Sequence, residues 1–122
     1  MQVIEKSILI IDDNEDMLTM LTIILRDKAY KVTARKSFHD VAESLEELRP
    51  DVVLIDKNLG DTDGLDVCRA IRSNPFMENT IILIFSAYDV PAVACREAGA
   101  TAFFEKPQGM QQFLASIEKY LH

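Results

Sequence analysis

Val52-Val53-Leu54-Ile55-Asp56 runs straight into Lys57-Asn58-Leu59-Gly60-Asp61-Thr62-Asp63-Gly64, and the reading of the fold turns on this stretch. Four apolar residues, three of them β-branched, lead without alternation to a single carboxylate. A short continuous apolar run reads as a strand buried on both faces, as in the interior of a parallel sheet. Asp56 then emerges where the strand gives way to a loop of Gly, Asp and Asn. In open α/β sheets that carboxyl edge is where ligands and chemistry sit. Taken alone, Asp56 reads equally well as a turn residue bonded to its own backbone.

The rest of the chain supports the first reading. Ile8-Leu9-Ile10-Ile11 is a second continuous run, again ending in carboxylates, Asp12 and Asp13. From Asn14 the period changes: Leu18, Leu21 and Leu25, flanked by Met17 and Ile24, form a helical stripe to about Lys28, with Asp13 or Asn14 as N-cap. Tyr30-Lys31-Val32-Thr33-Ala34 alternates, as an edge strand with one wet face does. Ser37 is the expected cap of a second helix with Phe38, Val41, Ala42, Leu45 and Leu48 inward, ended by Pro50. After the Asp56 strand a helix is expected from Asp63 to Arg72, with Leu65, Cys68 and Ile71 inward. Ile81-Ile82-Leu83-Ile84-Phe85 is a third buried strand, closing at Ser86-Ala87. A short helix with Val90, Val93 and Ala94 inward stops at Gly99. Thr101-Ala102-Phe103-Phe104-Glu105 is the last strand and leads to Lys106-Pro107. Met110, Phe113, Leu114, Ile117 and Leu121 mark the closing helix. Strands that alternate with helices predict an α/β fold: a five-stranded parallel sheet with helices on both faces. With the alternating strand at one edge and the charged last strand at the other, the flavodoxin-like order 2-1-3-4-5 fits.

Composition narrows the function. At 122 residues, 48% hydrophobic and 27% charged, the chain reads as one globular domain with an ordinary core. The apolar runs are too short to span a bilayer, and the first residues lack the layout of a secretory signal. Cys68 and Cys95 read as free thiols in a reducing compartment. The formal charge of -7, with 13 basic residues scattered along the chain, argues against a nucleic-acid partner and for a protein partner or a bound cation.

Asp12, Asp13, Asp56, Ser86 and Lys106 all lie just past strand ends that a parallel sheet brings to one edge. Each has an ordinary explanation separately, as cap, turn residue or surface charge, but their coincidence at neighbouring strands points to a site. Crowded carboxylates repel one another, which a bound cation relieves, and hard oxygen donors in an open site suit Mg²⁺. An ionised aspartate is also a nucleophile toward phosphorus. The Lys106 ammonium and the Ser86 hydroxyl can then neutralise and hold phosphoryl oxygens.

On the Asp12-Asp13 pair, Asp56 with Asp63-Gly64 following, Ser86-Ala87 and Lys106-Pro107, the chain resembles the CheY-like receiver domains of two-component response regulators. The resemblance covers essentially residues 1–122, which it implies are a single receiver domain. It implies that Asp56 accepts a phosphoryl group from a phosphohistidine of a sensor histidine kinase or histidine phosphotransfer protein. Asp13 and Asp56 would bind Mg²⁺ directly, Asp12 through water and Asn58 through its backbone carbonyl. Ser86 and Lys106 would contact the phosphoryl group, and Phe103 falls at the family's aromatic switch position. The implied protein is a cytoplasmic signalling switch that catalyses its own phosphorylation and dephosphorylation and turns over no outside substrate. Its output would go to a downstream protein or a homodimer, with no contact to membrane or nucleic acid through this domain.

The chain departs from the family at four places. Gly60 stands where proline is usual, Phe103 replaces a frequent tyrosine, and Gln108 takes a place often held by a bulky apolar residue. The Ser86-to-Gly99 segment is also about two residues shorter than in similar receivers. Other phosphate or metal motifs fail: there is no P-loop or dinucleotide fingerprint, and an EF-hand register from Asp56 puts Val67 at the closing glutamate. Two rival functions stay in view. A metal-dependent phosphohydrolase with an aspartyl nucleophile is disfavoured because Asn58 stands where a second acid would be needed. A degenerate receiver, acting as an unphosphorylated interaction module, is disfavoured because all five site residues are present.

Overall fold

The computed structural model describes residues 6–105 and 110–121. Lys106, Pro107, Gln108 and the Met110 side chain lie outside the described residues. Five strands, β1 (Ser7–Ile11), β2 (Lys31–Arg35), β3 (Val52–Asp56), β4 (Ile81–Ser86) and β5 (Ala102–Glu105), pair in parallel in the order 2-1-3-4-5. The helices are α1 (Glu15–Asp27), α2 (Leu45–Leu48), α3 (Gly64–Arg72), α4 (Ala92–Glu97) and α5 (Met110–Leu121).

The absence of alternation in β1, β3 and β4 is explained by two cores, one on each face of the sheet. Leu9, Ile11, Val53, Ile55, Ile82 and Ile84 pack with Leu45, Leu65, Cys68, Ile71 and Cys95 under α2, α3 and α4. Their neighbours Ile8, Ile10, Val52, Leu54, Leu83 and Phe85 pack on the other face with Leu18, Leu21 and Leu25 of α1 and Phe113, Ile117 and Leu121 of α5. Successive side chains point to opposite faces, so a strand covered on both sides must be apolar throughout. The edge strands differ as expected: in β2 Lys31 is exposed beside buried Val32, and β5 is nowhere fully buried.

Three elements depart from the sequence-based expectation. The second helix is shorter and begins later: Phe38–Val41 is a turn, Ala42–Ser44 is a 3₁₀ turn, and only Leu45–Leu48 is α-helical. Neither segment carries a side-chain cap, so Ser37 does not serve as one. Ser37, His39, Asp40 and Val41 are weak helix formers, and the i, i+3 spacing of the apolar residues is satisfied equally by tighter turns. Arg49 ends the segment in the left-handed region (φ 37°), as the residue before Pro50 is discouraged from continuing a helix. In α4, Cys95 takes the core position and Val93 is 52% exposed, not inward. They are two positions apart, about 200° around a helix, so the two cannot share a face. Finally, the loop after Asp56 contains a small antiparallel hairpin, Asn58–Leu59 against Thr62–Asp63.

Both cysteines are free and buried, and burial pushes the Cys68 thiol up to about 11 despite the nearby Arg72. Arg72 itself ties three segments together. Its Nε donates to the Gly99 carbonyl at 2.9 Å, and its Nη1 to the Met77 and Glu78 carbonyls at 2.8 and 3.2 Å. The chain can reach this contact because Gly99 turns with φ 92°, directly over the Arg72 stem.

Arg72→Met keeps the stem but leaves these carbonyls without their charged donor. It should lower unfolding free energy by about 1–3 kcal/mol in urea denaturation. Arg69→Met, which removes an exposed pair with Asp66, should stay within about 1 kcal/mol of the parent.

Candidate functional site

The sequence-predicted acids meet at the carboxyl edge of β1 and β3. Asp12, Asp13 and Asp56 each offer a carboxylate oxygen, and these oxygens lie within 4.8 Å of one another. Among the described residues this is the only such group of three or more potential metal-ligating side chains. The burial of the three is unequal: Asp12 is fully buried, Asp56 is 6% exposed and Asp13 faces solvent.

Each is positioned by its local backbone. The Asp12 N–H donates to the Arg35 carbonyl at 3.1 Å, which extends the β1–β2 ladder by one residue past β1. Its Oδ1 accepts the Asn14 N–H at 2.9 Å, and Asn14 Oδ1 in turn accepts the Met17 N–H at 2.9 Å as the N-cap of α1. The acid pair is therefore held at the joint where strand becomes helix. Asp56 Oδ1 accepts the Asn58 N–H at 3.0 Å, a local bond that fixes the carboxylate rotamer.

The loop beyond Asp56 returns to the site at its far end. The Gly64 N–H donates to the Lys57 carbonyl at 2.7 Å, and Asp63 caps α3 by accepting the Leu65 N–H at 2.9 Å. Gly64 packs so closely that a Cβ there would lie 2.2 Å from the Asp56 carbonyl oxygen. Gly60 turns the hairpin with φ 72° and lies against Asp13, where an added Cβ would be 3.5 Å from Oδ2. Glycine at the first of two hairpin positions suits a tight reversed turn. Proline, fixed near φ −65°, could not adopt this backbone.

Ser86 ends β4 one residue past the partner of Asp56, is 1% exposed, and accepts the Tyr88 N–H at 3.1 Å. Phe103 lies opposite Ile84 in β5, half-buried against the core under α3 and α4. By alternation Ser86 leaves the sheet on the same face as Ile84, so it lies diagonally beyond Phe103. Asn58 opens the hairpin, exposed. Lys106 lies outside the described residues, so the geometry covers four of the five expected strand-end residues.

Sequence reading missed one charged group. The Lys57 ammonium lies 3.1 Å from Asp63 Oδ2, with its side chain 23% exposed. A six-residue spacing inside a loop follows no helix or strand period, and only the acid's place before Gly64 hinted at it.

The arrangement can hold a hard divalent cation. Three carboxylates give oxygen-only donors, and a metal with bonds of about 2.1 Å brings its donors roughly 3–4 Å apart, a modest closing of the cluster. It can also present an aspartate nucleophile beside a hydroxyl donor, the parts needed for phosphoryl transfer.

Residues 8–118 match the family model described as response regulator receiver domain. The chain is similar to the DNA-binding response regulator MtrA of Mycolicibacterium smegmatis, 30% identical over 99% of this chain and 53% of the relative. It is 35% identical to the regulatory protein VirG of Agrobacterium fabrum over 92% of this chain and 44% of the relative. The chain thus spans about half the length of these curated relatives. In structure it is similar to the signal receiver domain of a DNA-binding response regulator from Colwellia psychrerythraea. The TM-score is 0.82 at 26% identity, covering 96% of this chain and 98% of the other.

Gly64→Ala should push the loop away from the Asp56 backbone, since the obstructing atoms belong to the main chain. An overpacked site of this kind costs about 1–3 kcal/mol or more. Urea denaturation should register that loss, and the amide shifts of Asp56 to Asn58 should move with it.

Proposed function

Because the chain belongs to the response regulator receiver domain family, whose members are phosphorylation-dependent signalling modules, we propose that it accepts a phosphoryl group on Asp56 and changes its partner-binding face in response. The observation that carries this reading is the convergence of the Asp12, Asp13 and Asp56 carboxylates at the sheet edge. Residues 1–122 are read as one such domain. The donor is a phosphohistidine on a sensor histidine kinase or histidine phosphotransfer protein. MtrA and VirG are named as regulatory proteins, and the matched region is 53% and 44% of their lengths, which suits a receiver feeding a separate output.

In the proposed reaction an Asp56 carboxylate oxygen attacks phosphorus, the phosphorus–nitrogen bond to the imidazole breaks, and an aspartyl phosphate forms. The Asn58 N–H on Oδ1 holds the carboxylate in one orientation for this attack. Asp13 and Asp56 would hold Mg²⁺ directly, Asp12 through water, and the Asn58 carbonyl would complete the protein's share. When bound, Mg²⁺ relieves the repulsion among the acids and neutralises charge on the phosphoryl oxygens. The Ser86 hydroxyl already accepts the Tyr88 N–H, so its own proton can be given to a phosphoryl oxygen. Lys106 is assigned the remaining charge.

Output is assigned to the face formed by α4, β5 and α5. Phosphorylation brings nearly two negative charges to the sheet edge. A Ser86 that turns toward them withdraws from the face it shares with Phe103. Phe103 is half-buried beside a cleft of about 510 Å³ that it lines together with Phe104, Glu105, Gln112 and Phe113. Lacking a hydroxyl, it would stabilise the inward state by burial and not by a new hydrogen bond. Tyr88 and Val93, 72% and 52% exposed, give the neighbouring segment apolar surface for a partner.

Incubation with Mg²⁺ and a small acyl phosphate should add one phosphoryl group by intact mass, and EDTA or Asp56→Asn should abolish the gain. Unchanged labelling of Asp56→Asn would refute the assignment. With beryllofluoride as phosphate mimic, amide shifts should change at Phe103 and in α5 as well as in the Asp56 loop. Ser86→Ala should restrict the changes to that loop, and Phe103→Tyr should alter the balance of states without blocking phosphorylation. Silence of Phe103 and α5 in the parent chain would remove the output face from the mechanism.

A further inference from the structure

The ion pair next to Asp56 has no part in the reading above. Lys57 follows Asp56 directly, and by alternation its side chain leaves on the face of Ile55, toward α3 and α4. Asp63 uses both carboxylate oxygens: Oδ1 accepts the Leu65 N–H at 2.9 Å, and Oδ2 meets the Lys57 ammonium at 3.1 Å. The backbone closes the same ring, since the Gly64 N–H donates to the Lys57 carbonyl at 2.7 Å. Inside this ring lies the hairpin whose first residue, Asn58, donates its N–H to Asp56 Oδ1. The pair lies within electrostatic reach of α4: the Cys95 thiol, raised mainly by burial, is opposed in that rise by Lys57 and assisted by Asp63.

We propose that Lys57 is a positioning residue for phosphoryl transfer. Through Asp63 it closes the loop over residues 57–63 and so sets Asn58 and the Asp56 carboxylate in place within the acidic cluster. The inference rests on the reading of Asp56 as phosphoacceptor. It assigns a task to a residue that touches neither the metal nor the phosphoryl group. The Gly64–Lys57 backbone bond joins the two ends of the loop through the main chain. The side-chain pair gives a second attachment, anchored to the first turn of α3.

Charge and positioning predict opposite signs, which makes the inference testable. Lys57→Met keeps most of the stem and removes the ammonium. By charge alone, losing the cation of the residue next to Asp56 should tighten Mg²⁺ binding at the acidic cluster. Loss of the second attachment should weaken it.

Mg²⁺ titration of the full chain, followed by amide shifts, should show binding about two- to five-fold weaker in Lys57→Met, the range a partly exposed ion pair supports. Lys57→Arg should restore binding to within about two-fold of the parent, on the same scale for exposed pairs. Asp63→Asn, which keeps an oxygen to cap α3, should weaken binding similarly, and the double variant should lose no more than the worse single one. Phosphorylation by an acyl phosphate should slow in Lys57→Met at limiting Mg²⁺ and recover at saturation. Unchanged or tighter Mg²⁺ binding in Lys57→Met, or additive losses in the double variant, overturns the inference. A parent chain that binds Mg²⁺ yet takes no phosphoryl group overturns the reading of Asp56 itself. That failure is distinguishable because it appears without any Lys57 substitution.

Discussion

Like charges at the end of an apolar sheet are the constraint around which this molecule is arranged. The three inner strands are covered on both faces, so no polar side chain can sit along their length without burying an unpaired group. Polarity is displaced to the carboxyl edge, where Asp12, Asp13 and Asp56 stand with oxygens within 4.8 Å of one another. Keeping two of these acids buried requires fixed partners. They are supplied locally by the N–H groups of Asn14 and Asn58, each two residues beyond the acid it serves. The start of α1 and the loop after β3 are thus set by the same requirement: each must turn sharply enough to offer its backbone to a carboxylate.

Most of the sheet was legible in the sequence because burial on both faces and burial on one face leave different patterns. Ile8 to Ile11, Val52 to Ile55 and Ile81 to Phe85 could be assigned to the interior, and Lys31 with Val32 to an edge, from side-chain type alone. The helical phase was legible where the stripe is long. Leu18, Leu21 and Leu25 repeat over two turns of α1 and are all buried. In α4 only six residues are helical, and the choice between Val93 and Cys95 as the inward residue depends on where the first turn begins. The second helix failed for a related reason, since its apolar spacing is met by a 3₁₀ turn as readily as by an α-helix.

At the site, legibility divided between side chains and backbone. The acids and Ser86 could be found because a parallel topology sends strand ends to one edge. The hairpin, the positive φ of Gly60 and the pair of Lys57 with Asp63 could not. They depend on loop geometry, and a loop of mixed Asp, Asn and Gly residues is compatible with several turns. Gly60 shows how the structure explains what sequence comparison leaves as an oddity. The residue that stands where proline is usual is a glycine in a left-handed turn beside Asp13, a backbone that favours glycine.

The sheet also works as a partition. Phe103 and Phe104 are neighbours in the chain but belong to separate compartments. Phe103 packs with the residues under α3 and α4, and Phe104 packs on the side of α1 and α5. Phe104 is held there edge-on by Tyr120, with ring centroids 5.7 Å apart. A rearrangement confined to one compartment therefore meets a strand already pinned from the other. β5 thereby links the two sides: a shift of Phe103 would reach α5 through Phe104 and its contact with Tyr120.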